Sequence, residues 1–279
     1  MWTLLQIEVF KIFKRPRTYI SFVAITIIIS LIQLAFYADG GAYMDFALQA
    51  LKDRFEINGQ LLNGYFICYL VLQMLLIHVP LLIALVAGDV LSGEANMGTL
   101  RMLMTKPVSR TTIVLTKFVA SVIYTILLLA WMAFLSLLVS MLIFGTDDLL
   151  IFKSDKAVLL READVLWRFV AAFVYAAIAM TTVTSLALLL SVFADNAIGP
   201  IVGTMSIIIL FTIITGMELP FFDFLKPVLF TRHMLGWKGF FNDPVNYASV
   251  IRSGGILIVH IIVFAGGAIL IFRKKDILS

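Results

Sequence analysis

The segment Thr18–Tyr37, TYISFVAITIIISLIQLAFY, carries no charged side chain over its whole length. At about 1.5 Å of rise per residue, a helix of that length reaches roughly 30 Å, the thickness of a bilayer's hydrocarbon core. Five further apolar runs follow: Leu61–Val90, Lys117–Gly145, Val165–Phe193, Ile198–Gly216 and Gly254–Phe272. The chain as a whole agrees, because 279 residues that are 62% hydrophobic and 14% charged, with a mean hydropathy of +1.05, hold too little charge to clothe a soluble core. The sequence therefore predicts an all-α membrane protein of six transmembrane helices, read as one domain over residues 1–279. Pro80, with Gln73 and His78 a turn or two before it, is placed to kink the second span.

Upstream of the first span, MWTLLQIEVFKIFKRPR places its cations after an apolar stretch and has no small-residue cleavage site, so it reads as mature protein and not as a leader. Glu8, Lys11, Lys14 and Arg15 share one arc at helical spacing, and Pro16 ends the segment. Residues 1–15 are expected to form an amphipathic helix lying in the membrane interface. The cations nearest the span ends place both termini in the cytosol, and the acids fall mostly on the other side. Residues 217–249 mix Phe, Trp and Pro in a segment too broken to span and too aromatic for a free loop. They are expected to form re-entrant or interfacial helices at the outer face. The single cysteine, Cys68, excludes a disulfide framework and a Cys-x-x-Cys pair. The cations are spread between spans, which argues for membrane lipid as the surface they meet and against nucleic acid.

Gly93–Arg110, GEANMGTLRMLMTKPVSR, is the most polar and most punctuated stretch of the chain. Gly93 and Gly98 bracket one turn of helix, Thr99 is placed to cap a second, Pro107 ends that, and Ser109 is placed to cap the third span. Met97, Leu100, Met102, Leu103 and Met104 exceed what a solvated turn requires, and methionine suits surfaces that repack against a partner. Helix-in-groove docking fits such a surface.

With its flanks, GDVLSGEANMGTLRMLMTKPVSRTTIVLTKF resembles the signature of the ABC-2 type ABC-transporter permease family through Glu94, Gly98, Thr99, Leu100, Pro107, Ser109 and Arg110. The resemblance implies a transmembrane permease subunit of an ATP-driven transporter, an exporter, in the bacterial inner membrane. It implies a coupling helix that docks on a separate ABC ATPase subunit, which binds ATP and Mg, and a second permease copy or a related permease as partner. By the same resemblance Glu94 and Arg101 are polar partners of the ATPase surface or of the N-terminal helix, Met97, Thr99 and Leu100 lie in the docking region, and Arg110 anchors the loop at the membrane edge. This chain has no Gly-Lys dipeptide and hence no Walker A loop, so it is expected to be non-catalytic and to hold no cofactor of its own.

Other polar groups in the spans are candidates for a translocation path: Gln33, Gln73, His78 and His260, with Asn63 and the Thr181, Thr182 and Thr184 group open equally to helix-to-helix bonding. Gly199 and Gly203, four apart, permit close helix approach in a dimer contact or inside the fold. The scattered methionines and lone histidines argue against a metal site. An ion-coupled secondary transporter would place carboxylates centrally in its spans, and an intramembrane enzyme would carry a nucleophile or zinc motif; neither is present. The alternatives to the permease reading are an ion-coupled secondary transporter, against which the missing central carboxylates count, and a structural membrane-complex subunit.

Overall fold

The computed structural model of the chain describes residues 1–52, 61–152 and 157–275, with the side chains of residues 44–52, 75–77 and 101 outside that description. Among the described residues, six helices are long and apolar enough to cross a bilayer. This is an integral membrane protein built almost wholly of helices.

Helix α1, Trp2–Lys14, ends at an extended Arg15, and α2, Pro16–Lys52, starts afresh at the proline, whose fixed φ and missing N–H suit a first helical position. The second span is α3, Gly64–Ala87, capped by Asn63, whose side chain accepts from the Phe66 N–H at 3.0 Å. Pro80 lies inside α3 without dividing it. The chain then turns at Gly88 into α4, Asp89–Asn96, and at Gly98 into α5, Thr99–Met104. Gly98 has φ +69, a left-handed conformation that glycine adopts without steric cost.

The third span begins earlier than its apolar run. Ser109 caps α6, Arg110–Ala133, by accepting from the Thr112 N–H at 3.1 Å, so seven residues before Lys117 are already helical. The polar residues at that end hid the helix start from a hydropathy reading. After α6 the helix widens into a π segment, Phe134–Val139, and closes with α7, Ser140–Phe144. Gln33 on α2 donates to the Leu135 carbonyl at 2.9 Å and to Ser140 Oγ at 3.0 Å, serving polar groups along the widened turn.

The all-α reading needs one addition. Strands β1, Leu149–Phe152, and β2, Ala157–Leu160, pair antiparallel with Leu149 opposite Leu160 and Phe152 opposite Ala157. Their inward residues Leu149, Ile151, Val158 and Leu160 are buried. Apolar residues on both faces blurred the two-residue alternation that would have announced strands.

Helix α8, Glu162–Phe193, is the central post, packed against α3, α4, α6, α9 (Ile198–Gly216) and α11 (Tyr247–Lys274). Helices α9 and α11 turn most of their apolar surface outward, as lipid-facing helices do. Between them lie a short 3₁₀ turn, Pro220–Phe222, helix α10, Phe230–Met234, and a 3₁₀ helix, Leu235–Phe241. This broken segment is bound to the bundle by rings, with Phe241 at 4.9 Å from Phe169 and 5.1 Å from Tyr69 between centroids. Arg168 on α8 adds two bonds, donating to the carbonyls of Phe240 at 2.7 Å and Asn242 at 2.6 Å.

Candidate functional site: a buried charge cluster beneath the α4–α5 turn

Helix α1 turns Glu8 and Lys11 of its charged arc inward together with Leu5, Val9, Ile12 and Phe13, while Lys14, Trp2, Ile7 and Phe10 are exposed. The partners of Glu8 and Lys11 stand opposite, on α4 and α6. Lys117, 1% exposed, places its ammonium 2.7 Å from Glu8 Oε2 and 2.9 Å from Glu94 Oε1. Lys11 reaches the same two residues, at 2.8 Å from Glu8 Oε1 and 2.8 Å from Glu94 Oε1. Two carboxylates and two ammoniums thus close a neutral ring joining α1, α4 and α6. Removing any one would leave an uncompensated charge away from water.

A second knot lies at the start of α4, five residues before Glu94. Asp89 is buried and pairs with Arg15, in the linker between α1 and α2, and with Arg17 on α2 at 2.8 Å. Burial lowers the Lys11 ammonium pKa, but hydrogen bonds and attraction from Glu8 and Glu94 outweigh it and hold the group above its ordinary value. One carboxylate oxygen, Glu94 Oε2, has no partner among the described residues.

Hydroxyls fix the backbone of the α3–α4 turn. Ser191 on α8 donates to the Gly88 carbonyl at 2.6 Å and accepts from the Ser92 N–H at 2.9 Å. A methyl on Gly88 would stand 3.3 Å from side-chain atoms of Pro200 and Ile201, so glycine lets α9 approach closely here. Beyond the turn, Leu100 is buried, 4% exposed, in an apolar cluster with Leu91, Ile113, Leu188 and Phe272. Thr99 is not the cap of α5; Gly98 occupies that position, and the Thr99 hydroxyl donates to the Glu94 carbonyl at 3.3 Å. Arg110 donates to the carbonyls of Phe272, Arg273 and Lys275 at 3.4, 3.1 and 2.6 Å, closing the end of α11.

With Leu100 inside, the surface of the turn consists of Met97 and Met102, 58% and 65% exposed, beside exposed Gly98, Lys106 and Pro107. Helix α5 includes Arg101, whose side chain lies outside the described residues. The arrangement is a methionine-tipped turn on a rigid footing. Buried ion pairs tie α4 to α1 and α6 behind it.

The other polar candidates are scattered and used locally. Gln33 serves the π segment; Gln73 Oε1 accepts from Lys238 at 3.4 Å; His78 and His260 each bond through Nδ1 to their own i−4 carbonyls, at 2.7 and 2.8 Å. Thr184 meets Thr125 at 2.9 Å between α8 and α6. The described contacts do not bring these groups into one lining. Gly203 faces Leu190 of α8, where a methyl would sit at 3.3 Å, so it serves internal packing; Gly199 is exposed.

The sequence places Glu8 and Lys11 on the charged arc of an interfacial helix and does not single out Asp89 or Lys117. A signal was available. A lysine opening an apolar run and a carboxylate closing another demand partners, and an i, i+3 Glu–Lys pair on a flanking helix could supply them.

A family profile described as "Protein of unknown function (DUF2705)" matches residues 25–278, and the chain belongs to that family. The "Uncharacterized protein YhcI" of Bacillus subtilis (strain 168) is 24% identical over 199 residues, which make up 69% of this chain. The match spans 63% of that relative's length, less than two thirds of it.

Proposed function

We propose that this member of the DUF2705 family is the transmembrane permease subunit of an ATP-driven ABC-2 type transporter, an exporter seated in the bacterial inner membrane with both termini cytosolic. A separate ABC ATPase, binding ATP and Mg, docks on the α4–α5 turn, and a second permease copy or a related permease completes the path. The observation that carries this reading is the pairing of an exposed methionine tip with a buried charge ring directly behind it. A turn that only connected two spans would need neither. The Glu94 to Arg110 resemblance to the ABC-2 signature supports the same reading. In it, Met97 and Met102 supply the adaptable contact, Leu100 locks α5 to the bundle, Glu94 passes the motion to α1 and α6, and α1 rides in the membrane interface.

The test is co-expression with a co-encoded ABC ATPase, affinity capture in mild detergent, and ATP hydrolysis by the captured pair. Met102→Asp should leave the permease folded and weaken association about tenfold or more, since a charge in a desolvated docking core costs upwards of about 1.4 kcal/mol. Capture of no ATPase by wild type, or unchanged capture and hydrolysis by Met97→Asp and Met102→Asp together, would sink the proposal.

A further inference from the structure

The end of the bundle opposite the charge ring holds a cavity of about 490 Å³ between α10, the 3₁₀ helix that follows it and the first turns of α11. Its polar lining is Arg232, His233, Ser249, Arg252 and Ser253, and it includes no Asp or Glu. Neither Arg232 nor Arg252 pairs with a carboxylate among the described residues, and Asp223, upstream of Arg232, is engaged by Lys226 at 2.8 Å. Two guanidiniums facing one cavity repel each other, and that cost is relieved by an anion between them.

The walls are built, not fluid. Buried His233 is held at both ring nitrogens, Nδ1 at 3.1 Å from Ser253 Oγ and Nε2 at 2.8 Å from the Pro227 carbonyl. Its own carbonyl accepts from Tyr175 on α8 at 2.7 Å. A methyl on Gly236 would lie 2.2 Å from the Tyr175 hydroxyl, so only glycine lets the 3₁₀ helix close on α8 there. The Ser249 N–H donates its capping bond to Asn246 Oδ1 at 3.1 Å, which leaves the Ser249 hydroxyl beside the cavity. Burial keeps the His233 ring below its ordinary pKa, and the positive fields of Arg232 and Arg252 act in the same direction.

We propose that this cavity binds a phosphate-type oxyanion, clamped by Arg232 and Arg252 with hydroxyl support from Ser249 and Ser253. Guanidiniums match phosphate oxygens with paired N–H donors, and the volume exceeds what a bare phosphate fills, leaving room for a glycerol-sized substituent. The shared chemistry has two sources, an anionic lipid headgroup or a free phosphate compound. The site does not depend on an ATPase partner, and it stands or falls separately from the permease reading.

The full chain, purified in dodecyl maltoside, would be titrated with dihexanoyl phosphatidylglycerol, dihexanoyl phosphatidylcholine and inorganic phosphate, reading the shift of the thermal unfolding midpoint against concentration. The clamp gives a saturable shift with the anionic lipid or with phosphate; a shift with both assigns the oxyanion itself, and one with the lipid alone assigns the headgroup. Arg252→Gln should raise the apparent Kd about tenfold or more, and Arg232→Gln with Arg252→Gln should abolish the response. Lys226→Gln, a cation outside the cavity, should titrate as wild type. Both arginines are exposed, so size-exclusion profiles and ligand-free midpoints of the variants should match wild type; if the double variant does not fold, Arg252→Gln alone decides. The proposal is overturned if no probe shifts the wild type, if the arginine variants titrate unchanged, or if Lys226→Gln loses as much as they do.

Discussion

At the α1 end, Glu8, Lys11, Glu94 and Lys117 satisfy one another within a neutral ring, whereas at the α10 end Arg232 and Arg252 face a cavity with no carboxylate in its lining. Both ends gather cations near a membrane boundary, but in the ring every cation has its counterion, whereas Arg232 and Arg252 have none among the described residues. A closed ring is a structural joint, because each charge is needed by the others. An open pair of guanidiniums is a receptor. The difference teaches that the count of charges at a span end says little; what matters is whether their partners are already in the chain. Deletions should therefore hurt stability at one end and ligand response at the other.

The largest expected effect is Lys117→Met. It removes the one ammonium bonded to both carboxylates from full burial and leaves Glu8 and Glu94 sharing Lys11 alone. Breaking a buried pair from one side costs on the order of 3–5 kcal/mol. Arg252→Gln, on the exposed pair, should change the ligand-free unfolding free energy by no more than about 0.5 kcal/mol. Pairing Lys117→Met with Glu8→Gln restores neutrality and should recover most of the loss. If the double variant is as unstable as the single, the ring is packing and not charge compensation, and the contrast between the ends dissolves.

Next in size is Tyr175→Phe, which asks how firmly a neutral hydrogen bond holds the α10 end. Its hydroxyl is the buried donor to the His233 carbonyl, and losing it leaves that acceptor unpaired at a cost of about 1–3 kcal/mol. Gly236→Ala should cost a similar amount by overpacking against the same hydroxyl. The two changes are coupled: Tyr175→Phe removes the nearest atom that the new methyl would strike, though the ring Cζ stays at 2.7 Å, so together they should cost somewhat less than the sum. Strict additivity in a thermal unfolding cycle would show that the 3₁₀ helix is anchored elsewhere, by Arg168 and the Phe241 ring contacts.

The six spans were legible because length and apolarity decide a membrane crossing, and Ile198–Gly216 was read to the residue. Caps were legible where chemistry is local: Ser109 and Pro16 act as their types dictate. The hairpin was not, since LLIF and AVLL are apolar on both faces and strand pairing is a contact between segments. Helix α1 reads as amphipathic from the sequence, but the burial of Glu8 and the pairing of Lys11 are not legible there. Periodicity locates a charged arc and is silent on whether water or another helix receives it; Lys117 and Glu94 decide that, from about a hundred residues away in sequence. The same limit hid Gln33, whose partner is a π segment that no local propensity announces. It also hid Arg168, which serves the Phe240 and Asn242 carbonyls.

The smallest effect separates the ends by the sign of their pH dependence. Burial first, with Arg232, His260 and Arg252 acting alongside, holds His233 below its ordinary pKa, outweighing the bond to the Pro227 carbonyl. In the unfolded chain the ring takes up its proton near pH 6.5, so the unfolded state binds more protons just below that value and stability falls with pH. The contribution of His233 is therefore fully present above about pH 6.5 and lost as pH drops through the folded value. Lys11 runs the other way: its raised pKa gives a contribution fully present below about pH 10.4 and lost as pH rises beyond it. Thermal unfolding between pH 5 and 8 should show a decline toward acid in wild type that His233→Gln flattens, while Lys11→Met lowers the whole curve without changing its slope. Parallel profiles for wild type and His233→Gln would mean that the ring is protonated in the folded state without penalty. Filling the cavity with an oxyanion should also reduce the acid decline, because an anion beside Arg232 and Arg252 cancels the field that opposes protonation of His233.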